Sequence, residues 1–438
     1  MHDTTFLAHA AKQLGRAQNP SAMADMVRAA VNRNERWRGH ECINLVAAES
    51  PTSPSVRALL ASGVGTRASG GDIGPSNRFF SGMKYIDELE SLCVELLKKA
   101  FCSRYADHRL MGGMAAVLAA YSALTRPGDA VMTVPVISGG DSSNRLNGPA
   151  GVIGLSIHDI PFHYNSTEID LDRFRTRARQ LKPRVVGLGM TLSLFPLPIA
   201  ELKEIIAEWD GKLYFDAAHQ LGLICSGLFQ DPLREGADLM TGSSGKTFSG
   251  PQGGIVIWNN EGLTEPITKT IFPTLTGSHQ INRVAALAVA TTEIIEYGHV
   301  YMGQVVKNAQ QLAMHLEING ITVFYGEKNY TKTHQIIMDS KPFPNGRAAV
   351  WQLEQANIIG NEMPLPWDID PDNPSGIRLG TVEMTRRGMK EKDMAWIAQQ
   401  ISDVLLGRKN PLAIAELVKE YVKTYKTIYY CHENGLPK

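Results

Sequence analysis

Two short polar clusters, each following a predicted strand, have residue types suited to chemistry on an aldehyde and a heterocycle. Asp216 and His219 follow a strand at residues 212–215, and Lys246 lies on a Gly/Ser loop after a strand at residues 238–242. Open α/β sheets place their ligand-binding residues at the carboxyl ends of neighbouring strands. There a carboxylate can keep a heterocyclic nitrogen protonated, and a lysine can form a Schiff base with a carbonyl group. The pattern therefore predicts an imine-forming lysine beside a carboxylate.

Simpler interpretations of these residues are open at this stage. Taken alone, Asp216 is typical of a helix N-cap and Lys246 of a solvated loop lysine. Residues 245–247, Gly-Lys-Thr, also end like a phosphate-binding P-loop. That motif requires a glycine five residues before Gly245, and Met240 occupies this position, so the P-loop is excluded. Only the two clusters together favour the imine site.

Alternating helix and strand patterns predict the framework that positions these clusters. A helix rich in Ala and Leu is predicted at residues 113–125, and an amphipathic helix has its apolar face from Leu202 to Trp209. Short apolar runs predict strands at residues 129–135, 184–190, 212–216, 238–242 and 254–258. Strands that alternate with helices predict an α/β fold with a large, doubly wound, mostly parallel sheet.

The pattern changes after about residue 300. Helices are predicted at residues 304–316 and 389–406, with short strands at residues 321–325 and 334–338 between them. We therefore predict three parts, which are an N-terminal helical arm (1–50), the large α/β domain (51–300) and a smaller C-terminal α+β domain (301–438).

Composition and charge exclude several classes of protein. The 438 residues include 44 Lys plus Arg and 44 Asp plus Glu, so the chain has no electrostatic footprint for nucleic acid or an anionic membrane. No stretch is typical of a membrane span, and the N-terminus lacks the apolar region of a signal peptide. The five scattered cysteines form no C-x-x-C pair, which argues against a disulfide framework or a zinc site. We expect a cytoplasmic, enzyme-sized protein without a bound metal.

Five longer motifs carry a family resemblance. They are LVAAESPTSPSV (45–56), NRFFSGMKYIDELE (77–90), FDAAHQLGL (215–223), TGSSGKTFSGPQGGIV (241–256) and SGIRLGTVEMTRRGMKE (375–391). Over residues 43–406 the chain resembles the serine hydroxymethyltransferases, which are fold-type I pyridoxal-phosphate enzymes. The resemblance implies the fold-type I transferase fold, pyridoxal 5'-phosphate as the cofactor and an amino acid as the substrate.

The resemblance also implies roles for matched residues. Lys246 matches the lysine that binds the cofactor as an imine, and Asp216 matches the carboxylate that pairs with its ring nitrogen. His219 and Thr191 match the residues near the phenolic oxygen of the cofactor. Arg378 matches the arginine that holds the substrate carboxylate, a role that suits a bidentate guanidinium.

A phosphate site is expected where the helix after residue 111 begins. Gly112, Gly113 and Met114 form this turn, where free backbone N–H groups and the helix dipole favour an anion. Ser243 is expected to add a hydroxyl group. In the family a Gly-rich loop of a second subunit completes the phosphate site, and Gly277 lies in the matching segment. The resemblance thus implies a homodimer with shared active sites.

The sequence departs from the family pattern at several positions around the cofactor. Asp141 stands where the family has a histidine stacked on the ring, and Asp72 lies on a Gly-rich loop where the family has a proton-transfer glutamate. Gly245 and Gln252 replace a histidine and an arginine that flank the imine lysine. Met363 replaces an amide that contacts the folate pteridine. We predict catalytic proton-transfer roles for Asp141 and Asp72, with Asp72 also contacting substrate, and no requirement for folate.

These observations favour one reaction class and leave two alternatives. The favoured reaction is aldol, retro-aldol or transaldol chemistry at the Cα of a β-hydroxy-α-amino acid, with glycine as the carbanion source. The first alternative is β-elimination or decarboxylative oxidative deamination of a cysteine S-conjugate in secondary metabolism, as in folate-free branches of the family. The second is a catalytically silent protein of the same fold, against which the intact Lys246, Asp216 and Arg378 argue.

Overall fold

A seven-stranded sheet forms the centre of the large domain in a computed structural model that describes residues 3–163 and 166–437. The strand order is β2-β8-β7-β6-β5-β3-β4. Strands β3 to β7 run parallel, and β8 pairs antiparallel with both β7 and β2. The described strands are β1 (Ile43–Asn44), β2 (Tyr105–Asp107), β3 (Ala130–Thr133), β4 (Ser156–Asp159), β5 (Val185–Gly189), β6 (Lys212–Asp216), β7 (Leu239–Ser243), β8 (Gly254–Trp258), β9 (Gln335–Asp339), β10 (Ile358–Ile359), β11 (Asn361–Met363) and β12 (Gly376–Gly380).

Helices cover the sheet and build the second domain. The described α-helices are α1 (Thr4–Leu14), α2 (Pro20–His40), α3 (Pro54–Leu60), α4 (Lys84–Phe101), α5 (Gly113–Leu124), α6 (Pro149–Ile153), α7 (Leu171–Leu181), α8 (Ile199–Ala207), α9 (Leu221–Cys225), α10 (Pro232–Glu235), α11 (Thr264–Lys269), α12 (Ile281–Ile318), α13 (Gly346–Gln355), α14 (Val382–Arg386), α15 (Glu391–Leu405) and α16 (Pro411–Val422). None of the helices in the described part of the chain is long and apolar enough to cross a membrane.

The strands predicted from apolar runs are confirmed as β3, β5, β6, β7 and β8. Every residue of β5, β7 and β8 is buried, as expected of parallel or mixed strands that have helices on both faces. The amphipathic helix is confirmed as α8, which buries Leu202, Ile205 and Ile206 against the sheet. The large mostly parallel sheet therefore follows from the alternation of strand and helix patterns.

Helix α12 links the large domain to the smaller one. It has 38 residues and packs against α3, α4 and α15. The predicted domain boundary at residue 300 falls inside this helix, so the chain has no break in structure there. The division into three parts stays a prediction.

Two small sheets organise the C-terminal domain. Strands β11, β12 and β9 form an antiparallel sheet, and β1 pairs in parallel with β10, which ties the segment after the N-terminal helices to this domain. The strand predicted at residues 321–325 is wrong, because only Val323 forms an isolated bridge, to Met338. Tyr325 has a left-handed backbone (φ 68°), which ends the extended run before a short 3₁₀ turn.

Candidate active site

The carboxyl ends of β6 and β7 bring the predicted residues into one cavity of about 270 Å³. Asp216 ends β6, and Lys246 follows β7 by three residues. The cavity is lined by Gly113, Met114, Val117, Asp141, Ser142, Ser143, Asp216, Ala218, Ser243 and Lys246. The polar clusters singled out by their spacing therefore face one another across a common space.

Asp216 is a buried carboxylate that forms no direct ion pair among the described residues, although the nearby Lys246 acts on its charge. Its Oδ1 accepts hydrogen bonds from the backbone N–H of Ala218 (3.0 Å) and from Thr241 Oγ1 (3.3 Å). Burial, and then the negative charge of Asp141, raise the pKa of Asp216 to about 7. A protonated heterocyclic nitrogen in the cavity would supply the missing cation, so Asp216 fits the ring of pyridoxal phosphate.

Lys246 is the amine of the cavity. Its Nζ lies 3.2 Å from His219 Nε2. Burial lowers the pKa of Lys246, while the carboxylates of Asp216 and Asp141 oppose that change. A lysine with a lowered pKa has more of its amine in the neutral form that attacks aldehydes, so the environment fits an imine-forming role.

Arg378 on β12 is a buried guanidinium with no carboxylate partner in the described chain. Its Nε and Nη2 donate to Asn361 Oδ1 (3.2 and 3.1 Å), and its Nη1 donates to the carbonyl oxygen and, at 3.2 Å, to the hydroxyl of Thr191. Burial lowers the pKa of Arg378 to about 10, while Asp141 opposes the change. A substrate carboxylate would compensate this charge, and Thr191 and Asn361 orient the group that would bind it.

Removing the Arg378 guanidinium should weaken substrate binding and leave the cofactor in place. Loss of one partner of a buried ion pair costs about 2–5 kcal/mol, or roughly 30- to 4000-fold in affinity. We therefore expect Arg378→Ala to raise the dissociation constant of an amino acid substrate by that factor in a spectroscopic titration. Arg378→Lys should recover part of the affinity. Equal affinity of the wild type for an amino acid and its decarboxylated amine would contradict this role.

The start of α5 has open space for a phosphate group. A Cβ placed on Gly112 meets no atom within 4 Å, whereas one on Gly113 would lie 3.4 Å from Cβ of Ser243. Gly112 is the N-cap residue of α5 and has an extended backbone. Because it is a glycine, no side chain fills this space. With Met114 and Ser243 on the cavity wall, the first N–H groups of α5 are available to an anion.

Asp141 lies in the cavity, as its match to a ring-stacking position implies. Its Oδ1 accepts a hydrogen bond from the backbone N–H of Ser143 (2.8 Å), which caps a short 3₁₀ turn, and its own N–H donates to the carbonyl oxygen of Gly189 (3.1 Å). The backbone is therefore held close to the carboxyl end of β5. The side chain is a carboxylate where the family has an aromatic ring, and its catalytic role stays a prediction.

Asp72 and Gly277 do not line the Lys246 cavity of their own chain. The Asp72 carboxylate pairs with Arg109 Nη1 (2.7 Å) and lies on the wall of another cavity, of about 280 Å³. The two loops adjoin, because Cβ of a residue at position 70 would lie 3.4 Å from the carbonyl oxygen of Gly277. Ser69 also donates through its hydroxyl to the carbonyl oxygen of His279 (2.8 Å). The structure therefore groups these loops on a surface separate from Lys246.

Two residues that form hydrogen bonds with predicted site residues were not predicted from the sequence. Asn361 and Gln335 contact Arg378 and His219 from the smaller domain. Gly245 and Gln252, which both depart from the family pattern, lie against each other. A Cβ on Gly245 would lie 2.7 Å from Cδ of Gln252, so the side chain at 252 leaves no room for one at 245. The simultaneous loss of the two family side chains at 245 and 252 is a signal from which this contact can be inferred.

The comparison with protein families covers most of the chain. Residues 22–401 match the family model described as Serine hydroxymethyltransferase. The chain belongs to the serine hydroxymethyltransferase family. A serine hydroxymethyltransferase of Pyrococcus furiosus is 41% identical over 421 residues, which are 94% of this chain and 98% of that protein. One of Methanopyrus kandleri is 40% identical over 409 residues, covering 93% and 95% of the two chains.

A solved structure with the same fold is named as a transaldolase and not as a hydroxymethyltransferase. The L-threonine transaldolase of Pseudomonas fluorescens superposes with a TM-score of 0.85 at 26% identity, over 97% of this chain and 96% of that chain. Together with the family match, this similarity confirms the fold-type I fold, pyridoxal 5'-phosphate as the cofactor, and a PLP-dependent transferase or lyase. When bound, the cofactor supplies an electron sink for a carbanion at the substrate Cα.

Proposed function

We propose that this member of the serine hydroxymethyltransferase family catalyses aldol, retro-aldol or transaldol chemistry on a β-hydroxy-α-amino acid without folate. The position of Met363 carries the proposal. Its side chain is 3% exposed and packs in an apolar cluster, whereas the family uses an amide there to contact the pteridine. An apolar residue cannot form that hydrogen bond, and the loss costs about 1–3 kcal/mol. The members of the cluster are Leu192, Leu194, Ile337, Met363 and Leu365.

The surroundings of Met363 support the same conclusion. Glu362, its neighbour in β11, forms an ion pair with Arg347 (2.7 Å), and Asn361 accepts a hydrogen bond from Arg378. The described side chains of β11 are thus occupied by contacts within the protein. The name of the Pseudomonas fluorescens enzyme adds support for transaldol chemistry in a protein of this fold.

The residues of the cavity have distinct parts in this reaction. Arg378 binds the substrate carboxylate and so fixes the orientation of the Cα bonds of the substrate in the cavity. The Lys246 amine would hold the cofactor covalently in the cavity. The Asp216 carboxylate would pair with the ring nitrogen of the bound cofactor and favour its protonated form. His219 contacts the Lys246 amine and Thr191 accepts from the Arg378 guanidinium, so these two residues orient the groups that bind.

Proton transfer requires groups close to Cα and the β-hydroxyl. Asp141 lines the cavity, and its carboxyl group is suited to exchange a proton with the substrate. Asp72 and Gly277 would reach a site only in a neighbouring copy, because both lie outside the cavity of their own chain. We therefore propose a homodimer in which these loops complete the partner's site, with Asp72 accepting the proton of the β-hydroxyl. A cytoplasmic location is part of the proposal, supported by the five free cysteines.

Serine hydroxymethyl transfer is the second candidate. It is favoured by the names of the archaeal relatives, which are about two-fifths identical to this chain over nearly its full length. The two candidates share the Lys246 site and differ in whether folate carries the one-carbon fragment.

A crossover assay tests the proposed reaction. We expect the enzyme, supplied with L-threonine and benzaldehyde but no folate, to form a β-hydroxy-β-phenyl amino acid detectable by mass spectrometry. Asp141→Asn should slow the reaction by about 10²-fold, because it removes a proton-transfer group. Asp172→Asn changes an exposed carboxylate on α7 and should have no effect. An Asp141→Asn enzyme of full activity would contradict the role of this residue, and absence of the crossover product with the wild type would contradict transaldol chemistry.

A further inference from the structure

The amide of Gln335 has a fixed orientation at the edge of the site. Gln335 is fully buried on β9, and its side chain lies between two backbone groups. Its Oε1 accepts from the backbone N–H of Ser193 (2.7 Å), and its Nε2 donates to the carbonyl oxygen of Thr191 (3.0 Å). Because the first backbone group only donates and the second only accepts, turning the amide over would lose both hydrogen bonds.

This orientation decides which nitrogen of His219 carries a proton. Nε2 of Gln335 also lies 3.0 Å from His219 Nδ1, which must therefore accept a hydrogen bond. A neutral ring then carries its proton on Nε2, while a doubly protonated ring would place two donors against each other. Burial holds the pKa of His219 well below its ordinary value, in agreement with a neutral ring.

The proton on His219 Nε2 faces Lys246 Nζ at 3.2 Å. A neutral amine can accept this hydrogen bond through its lone pair, whereas an ammonium group has only donors. We propose that Gln335 fixes the Nε2-protonated tautomer of His219 and thereby keeps Lys246 as a neutral amine that can attack an aldehyde. Gln335 is a positioning residue, since it acts through His219. The inference rests on the proposed role of Lys246 and not on which substrate bond is broken.

Other charged and titratable groups around the pair act independently of Gln335. The carboxylates of Asp216 and Asp141 favour the ammonium form of Lys246, and Arg378 disfavours it. The ring of His334 stacks on that of His219, with 5.8 Å between centroids and 16° between planes. An uncharged substitution at position 335 leaves these four groups in place, so its effect on Lys246 reports the hydrogen bond to His219.

The test measures the pKa of Lys246 in the full-length protein before pyridoxal phosphate is added. The pH dependence of acetylation by acetic anhydride is read by mass spectrometry of the peptide that contains Lys246. In Gln335→Leu, His219 can carry its proton on Nδ1 and accept from an ammonium group through Nε2. We expect the pKa of Lys246 to rise by about one pH unit, which lowers the neutral fraction about tenfold below that pKa.

Matched variants separate this effect from a general change in packing. Gln310→Leu removes a glutamine that donates to the carbonyl oxygen of Thr331 (2.9 Å), and it should leave the pKa of Lys246 unchanged. Gln335→Asn is too short to reach all three partners and should act like Gln335→Leu, which covers the case in which the leucine variant does not fold. In a His219→Ala background, either substitution at 335 should have no effect on Lys246. An unchanged pKa in the single variants, or an equal rise with and without His219, would overturn the proposal.

Discussion

Replacing Lys246 with alanine is expected to abolish the covalent link between the protein and pyridoxal phosphate. Lys246 is the amine that lines the cavity beside Asp216, so no other described side chain of that cavity can form the imine. We expect borohydride treatment of Lys246→Ala to leave no cofactor-modified peptide in mass spectrometry. Activity should fall on the order of 10³- to 10⁶-fold, as when a covalent catalytic group is removed.

A matched lysine variant makes this result specific. Lys212 begins β6 and pairs with Asp210 (2.6 Å) outside the cavity, so Lys212→Ala should keep both the borohydride-reducible link and the activity. A Lys246→Ala protein that still yields a reduced cofactor-peptide adduct would refute the assignment of Lys246.

Asp216→Asn should have the second largest effect on activity. The amide keeps the shape of the carboxylate but cannot pair with a protonated ring nitrogen, so the cofactor becomes a weaker electron sink. Loss of one partner of a buried ion pair costs about 2–5 kcal/mol, which corresponds to a fall of roughly 30- to 4000-fold in kcat/KM. Wild-type kcat/KM in the asparagine variant, with bound cofactor, would contradict the assignment.

The pH dependence of stability provides a second measurement on Asp216. The pKa of an aspartate in the unfolded chain is about 3.9, while the raised pKa of folded Asp216 is about 7. Between these values the folded cofactor-free protein binds more protons than the unfolded chain, so this group's contribution lowers stability as pH rises. A cationic ring nitrogen compensates the carboxylate, and the increase in Tm on adding the cofactor should therefore grow across this pH range. The growth should be absent in Asp216→Asn and present in Asp238→Asn, whose carboxylate already pairs with Lys203 (2.6 Å).

Much of the large domain could be predicted because its signals are local. Strand β8 is a continuous apolar run and β6 has an apolar centre, and both lie at the residues predicted. Asp216 and Lys246 follow neighbouring parallel strands, so the chemistry of their types and the geometry of a doubly wound sheet together place them in one cavity. Local pattern and sheet topology were sufficient for this centre of the site.

The supporting residues could not be predicted in the same way. Gln335 reaches His219 across the domains, and a contact between residues 116 positions apart leaves no pattern in a single sequence. Asn361 reaches Arg378 from the neighbouring strand β11, and this contact depends on a strand pairing that the sequence does not reveal. Asp72 illustrates a different limit. Its match to a catalytic position could be read from a motif, but the structure places its side chain beside Arg109, on the wall of a different cavity from that of Lys246.

Glycine formation, measured with and without tetrahydrofolate, tests the proposed Cα–Cβ bond chemistry without folate. Purified enzyme is incubated separately with L-threonine and L-serine, and glycine and the released aldehyde are quantified in both conditions. We expect glycine and acetaldehyde from L-threonine at a rate that tetrahydrofolate does not change, because Met363 offers no amide to a pteridine. Conversion of serine to glycine at ~1–1000 per second only when tetrahydrofolate is present would contradict it.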